Sequence, residues 1–417
     1  MNISLIIPSR NNLKYLKWAY DSIRQNQGDH EVQICIADDY STDGTWAWCC
    51  ETERKDSNFE WIRNEGPNRL GLVILNDRLV NEVATNDICM VFHADMYLCP
   101  GALDAIEKHM YGTPEEPVVE SRIVSLTRIE PPLHPPGPEK ILMDFGIEPE
   151  EFKEKELLQY IEDRLGQFDE GPTTEGIFAP WAFYKSDFQE IGGHDPIFAP
   201  QSKEDTDIFN RFHLNGVEFV QTWEGFVYHM TCRGSRFADG AKRNPDGQVF
   251  MKNRETDEWL TQNQKATKEF IRKWGHFCKH DHFMKPIIPP KYDVGFIVHN
   301  SNDNLLKVLE PWCTNIYIDH NGTGYVMAED KISSFDIVKR VRDINEEKHN
   351  DILVEFDGHQ LTDINFGYVQ NLSEILDANF PRIDALGLTI GEEFELDIFK
   401  IKVNNTIKTY EKELIKS

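Results

Sequence analysis

The sequence predicts an α/β protein, with an open, mostly parallel sheet over about residues 1–285 and a smaller α/β unit after it. Three observations predict this. Short, continuous apolar runs of strand length recur along the chain. Amphipathic stretches of helical period separate them. Polar loops rich in Asp, Ser and Asn close the runs at one end. Apolar runs without alternation suit strands buried on both faces of a parallel sheet. In such sheets ligands sit at the carboxyl ends of the strands.

The elements follow in order. Ile3-Ser4-Leu5-Ile6-Ile7-Pro8 is the first buried strand, closed by proline. Asn11 or Asn12 can cap a helix to about Gln25, with Leu13, Leu16, Ala19, Tyr20 and Ile23 on one side. Val32–Ala37 is a second strand and ends at the polar loop Asp38-Asp39-Tyr40-Ser41-Thr42-Asp43-Gly44-Thr45. Glu60–Arg63 fits a third strand, Leu72–Val83 a helix, and Asp87–Phe92 a fourth strand. From about Glu130 to Gly176 the alternation breaks. Proline is dense over 131–138, and an acidic helix is predicted over Glu148–Leu165. This reads as an insertion at the rim of the site (130–176). The pattern resumes from Gly176 to His229, and helical segments over Asp257–Gly275 close the first domain.

Residues 286–291 read as a stiff proline-rich linker, and 292–417 as the second unit. That unit echoes the first. Val294–Val298 stands as Leu5–Ile7 does, and Ile316–Asp319 as Ile34–Asp38. Asn350–His359 stands as Asn86–Asp95. Two readings are open: a likeness shared by any buried strands, or a degenerate, shortened copy of the first half.

The composition bounds the function. A net charge of −27 repels polyanions, which disfavours a broad nucleic-acid or anionic-membrane footprint. No apolar run approaches the roughly 20 residues that span a bilayer. The apolar start, Met1–Pro8, reads as a strand and not as a signal peptide. The eight cysteines form no paired CxxC knuckles, and Cys35 and Cys89 lie inside apolar runs as small hydrophobes. A cytoplasmic, reducing setting is the expectation.

Three constellations carry chemistry. The first joins Pro8-Ser9-Arg10-Asn11 to the loop from Asp38 to Thr45. A carboxylate at a strand end can accept from a base N–H or from ribose hydroxyls, although caps and turns use the same residues. The second is Phe92-His93-Ala94-Asp95. Residues two apart in an extended chain point to one side, and both His93 and Asp95 can ligate Mn2+ or Mg2+. The third is Ile191-Gly192-Gly193-His194-Asp195 with Glu204-Asp205-Thr206-Asp207 through Arg211 and Gly216. Acids at a helix start can complement its dipole or hold a general base. A strand ending in His229 follows, with Arg233 and Arg236 just after it.

These motifs, in this order over about residues 2–235, resemble family 2 glycosyltransferases. The resemblance implies a GT-A fold, Rossmann-like and mostly parallel. It also implies a nucleoside-diphosphate sugar donor (UDP favoured), a glycan or other hydroxyl-bearing acceptor, and usually inversion. Residue by residue, it implies Asp205 as the base with Glu204 beside it, and Asp95 and His229 as metal ligands. Asp39 would contact the base of the donor, supported by Asp38. The wider donor-binding set is Pro8, Ser9, Arg10, Arg69, Gly71, His93, Ala94, Arg233 and Arg236. One departure is plain: His93 stands where the family carries an acid, so it is a third expected metal ligand.

Other readings are a non-catalytic nucleotide-sugar or glycan-binding protein, and a nucleotidyltransferase. The latter would carry a glycine-rich loop after the first strand, which Pro8-Ser9-Arg10-Asn11-Asn12 is not. His276, Cys278, His280 and His282 lack a second ligand pair for a metal. Gly322-Thr323-Gly324 lacks a third glycine for a dinucleotide fingerprint. Oligomeric state is not legible.

Overall fold

The structure is a computed structural model that describes residues 1–417 except 114–115, 169–170, 235, 386–392 and 409–417. The chain divides into two units. The first comprises residues 1–261 and 280–286; the second comprises 262–279 and 287–415. The division falls inside the helix expected to close the first domain, earlier than residue 285.

The first unit opens with β1 (Asn2–Ser9), α1 (Leu13–Asn26), β2 (Glu31–Asp38), α2 (Thr45–Glu53) and β3 (Phe59–Arg63). It continues with α3 (Gly71–Arg78), a π-turn over Leu79–Val83, β4 (Ile88–Val91), β5 (Met96–Leu98), α4 (Ala102–Tyr111) and β6 (Arg122–Glu130). Then come β7 (Lys140–Leu142), α5 (Glu154–Arg164), β8 (Thr173–Thr174), β9 (Trp181–Tyr184), α6 (Lys185–Glu190), α7 (Glu204–Leu214) and β10 (Glu218–His229). A short hairpin of β11 (Lys242–Arg243) and β12 (Val249–Phe250) precedes α8 (Asp257–Trp274).

The main sheet runs β3-β2-β1-β4-β9-β6-β10-β5, with β7 added on β6 and β8 on β10. β1 to β4 are parallel, as the apolar runs predict. β9 is antiparallel to both neighbours, and β6 and β10 are parallel again. The core lies along this sheet: Ile3, Leu5, Ile7, Ile34, Ile36, Met90 and Phe92 are almost wholly buried. Burial of each such side chain contributes on the order of 1.5–3 kcal/mol to holding the sheet together. A second cluster packs the 130–176 segment onto the sheet, with Leu157 and Ile161 of α5 against Phe145 and Tyr228.

Two local expectations change. The cap of α1 is not an asparagine side chain: Leu13 N–H donates to Asp43 Oδ2 at 2.9 Å. The acidic helix of the inserted segment starts at Glu154, later than Glu148, because residues Pro149–Glu151 form a separate 3-10 turn.

The second unit has β13 (Val294–His299), α9 (Asp303–Leu309), β14 (Asn315–Ile318), α10 (Thr323–Glu329), α11 (Ile337–Arg340) and β15 (Val341–Asp343). It goes on with β16 (Ile352–Asp357), α12 (Asp363–Gln370), α13 (Leu372–Ala385), β17 (Glu393–Leu396) and β18 (Phe399–Val403). Its sheet runs β15-β14-β13-β16-β18-β17. Most of α8 belongs here, where Arg272 is buried among Glu269, Glu310 and Glu329 at 2.5–2.7 Å. Lys291, within the expected linker, caps α8 through the carbonyls of Arg272 and Lys273. Among the described residues no helix is long and apolar enough to cross a membrane.

Candidate active site

The carboxyl ends of β1, β2, β4 and β10 and the start of α7 carry the predicted residues. At the end of β2, Asp38 is fully buried. It accepts from Ser41 N–H at 3.0 Å, and its Oδ2 lies 3.4 Å from Arg63 Nε. Asp39 accepts from Asn64 Nδ2 (2.7 Å), Leu70 N–H (3.0 Å) and Gly71 N–H (2.9 Å). Both its oxygens are thus engaged by the 64–71 loop, and Arg69 Nε stands 3.8 Å away. The same loop meets the approach to α7. Arg69 donates to Gln201 Oε1 at 2.8 Å, and a Cβ on Gly71 would lie 2.2 Å from the Pro200 carbonyl. Gly71 has φ +79°, so glycine is required there twice over. Ser9 is buried, and one guanidinium nitrogen of Arg10 is buried without a hydrogen-bond partner among the described residues. Pro8 and Ser9 stand beside Ala37 and Asp38 in the β1–β2 register.

The cation-type cluster forms where β4 and β10 end. The ligand atoms of His93, Asp95 and His229 all lie within 4.8 Å of one another. His229 Nε2 is 3.3 Å from Asp95 Oδ1, and the two imidazole rings are 5.4 Å apart. Two nitrogens and a carboxylate oxygen at this spacing fit a Mn2+- or Mg2+-sized ion with open positions for other oxygens. Ala94 lies between the two ligands of β4 and is nearly buried.

The electrostatics agree. Burial pushes the His93 imidazole down to about 4, and His229 beside it pushes the same way. Burial also works against charge on His229, but Asp95 and Glu130 outweigh it and lift it to about 9. Burial would raise Asp95, yet the facing His229 holds it below the ordinary carboxylate range. In this state the protonated His229 supplies the positive charge that the surrounding carboxylates call for.

α7 presents the paired acids. Ser202 and Lys203 precede it at φ +90° and +71°, a sharp turn that delivers Glu204 and Asp205 to the helix start. Glu204 is 7% exposed, and its Oε2 has no hydrogen-bond partner among the described residues. Burial raises both carboxyls above the usual range, and for Glu204 the neighbouring Asp205 adds to it. The rest of the motif is scaffolding. Asp207 and Arg211 form a fully buried pair at 2.8 Å, and Arg211 donates to the Ile191 carbonyl. His194 donates its N–H to Asp77, and Asp195 caps the turn at Ile197.

The two arginines after β10 are engaged elsewhere. Arg233 donates to the Ile147 carbonyl, pairs with Glu148 at 3.3 Å and covers the Tyr15 ring. Arg236 pairs with Glu255 at 2.8 Å and lies over Trp259. Three neighbours escaped sequence reading: Asn64, Arg128 and Glu130. Nothing local marks Asn64. Glu130 and Arg128 carry only a weak signal, as charges near the end of a strand that also holds Arg122, Ser125 and Thr127.

Carboxylates, imidazoles and a shaped loop thus gather at the carboxyl edge of the sheet, where open α/β domains bind their ligands. Residues 4–162 match the sequence profile of Glycosyl transferase family 2. The chain is also 31% identical over 116 residues to the abequosyltransferase RfbV of Salmonella typhimurium, a match covering 26% of this chain. It spans only 33% of that relative's length.

Among solved structures, one similar chain is the mannosyltransferase PcManGT from Pyrobaculum calidifontis in complex with GDP-Man and Mn2+. That likeness has 13% identity and a TM-score of 0.36, over 64% of this chain and 61% of that one. Another is S. aureus TarS in complex with UDP-GlcNAc, at 13% identity and a TM-score of 0.38, over 65% and 66% of the two chains. These structural likenesses are loose.

Proposed function

We propose that the protein is a glycosyltransferase that moves a sugar from a nucleoside-diphosphate sugar, UDP favoured, to an acceptor hydroxyl with inversion. What supports this reading is the His93–Asp95–His229 cluster just past β4 and at the end of β10, together with the Glu204–Asp205 pair at the start of α7. His93, Asp95 and His229 would hold a divalent cation, Mn2+ or Mg2+. When bound, it would offset the charge that grows on the departing diphosphate.

The protein's own groups do the rest. Asp39 shapes the 64–71 loop, which with Pro8, Ser9, Arg10 and Asp38 cradles the nucleotide. Asp205 accepts the proton of the acceptor hydroxyl as that oxygen bonds to the anomeric carbon. The bond from that carbon to the diphosphate oxygen breaks in the same step, and the diphosphate leaves with the electron pair. Glu204 stands beside Asp205, and burial raises both carboxyls above the usual range. Arg233, already paired with Glu148, would have to exchange that partner to meet the diphosphate, and Arg236 likewise Glu255.

Asp205→Asn tests the assignment. The expected outcome is a fall in transfer of ~10²–10⁴-fold, with donor binding in thermal-shift titrations kept within about twofold. Donor affinity that collapses instead would assign Asp205 to binding. No turnover with any nucleotide sugar by the unsubstituted protein, despite donor binding, would favour the non-catalytic binding protein.

A further inference from the structure

We infer that Glu130 is a positioning residue for the cation site: it holds the His229 ring so that Nε2 is the ligand atom and Nδ1 carries the proton. The inference rests on the reading that His93, Asp95 and His229 hold a divalent cation.

The topology puts Glu130 there. β6 and β10 run parallel, and their register pairs Ile129 with Tyr228. The next residue of each strand is its last, Glu130 and His229, so the two side chains leave the sheet edge side by side. Glu130 Oε2 lies 3.3 Å from His229 Nδ1, while the opposite nitrogen, Nε2, lies 3.3 Å from Asp95 Oδ1. The imidazole therefore bridges two carboxylates with one nitrogen each.

An ionised carboxylate can only accept a hydrogen bond. Glu130 thus requires N–H at Nδ1. In a neutral imidazole that leaves the lone pair on Nε2, aimed at the space shared with Asp95 and His93. A carboxylate behind a ligating histidine fixes its tautomer and ring plane and strengthens it as a ligand.

Glu130 is itself built in. It is 1% exposed, an expensive place for a charge without partners. Lys140 Nζ reaches its Oε1 at 2.8 Å, and Arg128 approaches Oε2 at 4.0 Å. Glu139 in turn pairs with Arg128 at 2.9 Å. β7 pairs parallel with β6 and sets Lys140 opposite Arg128, so the segment after Glu130 folds back to supply its counter-charge. Packing alone would be served by an apolar residue here; four charged side chains are assembled instead behind one histidine.

The test measures Mn2+ binding by isothermal titration to the full chain without donor. Glu130→Gln is expected to weaken Mn2+ by ~10–100-fold, with Glu130→Asp recovering part of the loss. Asp95→Ala and His229→Ala are expected to abolish binding. In the unsubstituted protein loaded with diamagnetic Mg2+, nitrogen chemical shifts of His229 should report the proton on Nδ1. If Asp95→Ala and His229→Ala bind Mn2+ as the parent does, the cation-site reading itself fails. If those two lose binding but Glu130→Gln stays within twofold, or the proton sits on Nε2, the role of Glu130 is overturned. Should Glu130→Gln not fold, the tautomer measured in the unsubstituted protein decides alone.

Discussion

The two sheets of this chain start alike and part at the fourth strand. In the first unit the order is β3-β2-β1-β4; in the second it is β15-β14-β13-β16, and every pair is parallel. An antiparallel strand then follows in both, β9 on β4 and β18 on β16. The loops after the first strands share a backbone detail, with Asn11 at φ +51° and Asn300 at φ +52°. The turns after the second strands share a cap. Asp43 accepts from Thr45 N–H and hydroxyl at 3.2 and 2.6 Å, and Asn321 from Thr323 at 3.0 and 2.5 Å.

The fourth strands end differently. Phe92-His93-Ala94-Asp95 meets His229 and Glu130, which arrive on β10 and β6. Phe356-Asp357-Gly358-His359 meets no such strands. The His359 side chain is 74% exposed, and Asp357 caps the backbone N–H of His359. Among the described residues the second unit holds no three-ligand cluster. A similar four-stranded parallel frame thus carries similar loops in both units, but the His93–Asp95–His229 cluster also draws on β10. This supports the proposal that the second unit is a shortened copy whose chemistry did not travel with its frame.

The largest expected effect breaks the symmetry outright. Asp95→Ala should lower sugar transfer by at least ~10²-fold, given the several kcal/mol that a metal's charge stabilisation supplies. Asp357→Ala, at the matching strand end, should leave transfer within about twofold and remove only a local cap on the His359 N–H. Initial rates with a nucleotide-sugar donor and Mn2+ would measure both. Equal losses in the two variants would mean that the second strand end also serves the reaction.

Much of this was legible in the residues. Continuous apolar runs such as Leu5–Ile7 and Ile34–Ala37 can be stable only where both faces are covered, and β1 and β2 are the result. The echo in Val294–Val298 and Ile316–Asp319 was visible for the same reason. Side-chain purpose was harder to read. Asp39 stands where the resemblance implies a base contact, yet it spends its oxygens on Asn64, Leu70 and Gly71, partners up to 32 residues away. Arg233 and Arg236 stand in the expected donor-binding set, yet Glu148 and Glu255 reach them through the fold. Glu130 was missed because its meaning depends on β6 and β10 being neighbours, and strand adjacency across 99 residues leaves no local mark.

A smaller effect separates the two edges by pH. At the first edge burial raises Glu204, so the fold favours its neutral form. That contribution is full below the ordinary glutamate value and is lost as pH climbs through the raised one. At the second edge Asp319 goes the other way. Its slight burial would raise it, but the Ser301 hydroxyl and backbone N–H bonds from Ser301 and Asn300 bring it down to about 2. Its contribution is present above the ordinary aspartate value and is lost as pH falls toward 2. Glu204→Gln should therefore flatten the alkaline side of the stability profile, gaining about 1 kcal/mol or more above the raised value, since each tenfold change in proton affinity between folded and unfolded chain is worth ~1.4 kcal/mol. Asp319→Asn should flatten only the acid side. Denaturant melts across pH 3 to 10 (roughly the span over which these two carboxyls titrate) would show it. Matching profiles for both variants would remove this distinction between the edges.

The smallest effect asks whether the shared cap does equal work in the two units. Asp43→Ala and Asn321→Ala each remove an acceptor for a threonine at a helix start, a loss of ~0.5–2 kcal/mol. The two positions are not equivalent, however. Asp43 Oδ2 also takes Leu13 N–H, because Asn12 makes no side-chain cap for α1. In the second unit Asn302 caps its own helix, accepting from Asn304 and Leu305 at 3.0 and 3.1 Å. Asp43 thus closes two helices and Asn321 one. Asp43→Ala should cost more by roughly one further hydrogen bond, ~1 kcal/mol, and should loosen the loop that carries Asp38 and Asp39, raising the donor KM. Hydrogen exchange at Leu13 and Thr45, set against Thr323, would resolve the difference. Equal protection losses in the two variants would show that the second cap on Asp43 adds nothing, and that the two loops had not diverged in the first unit's favour.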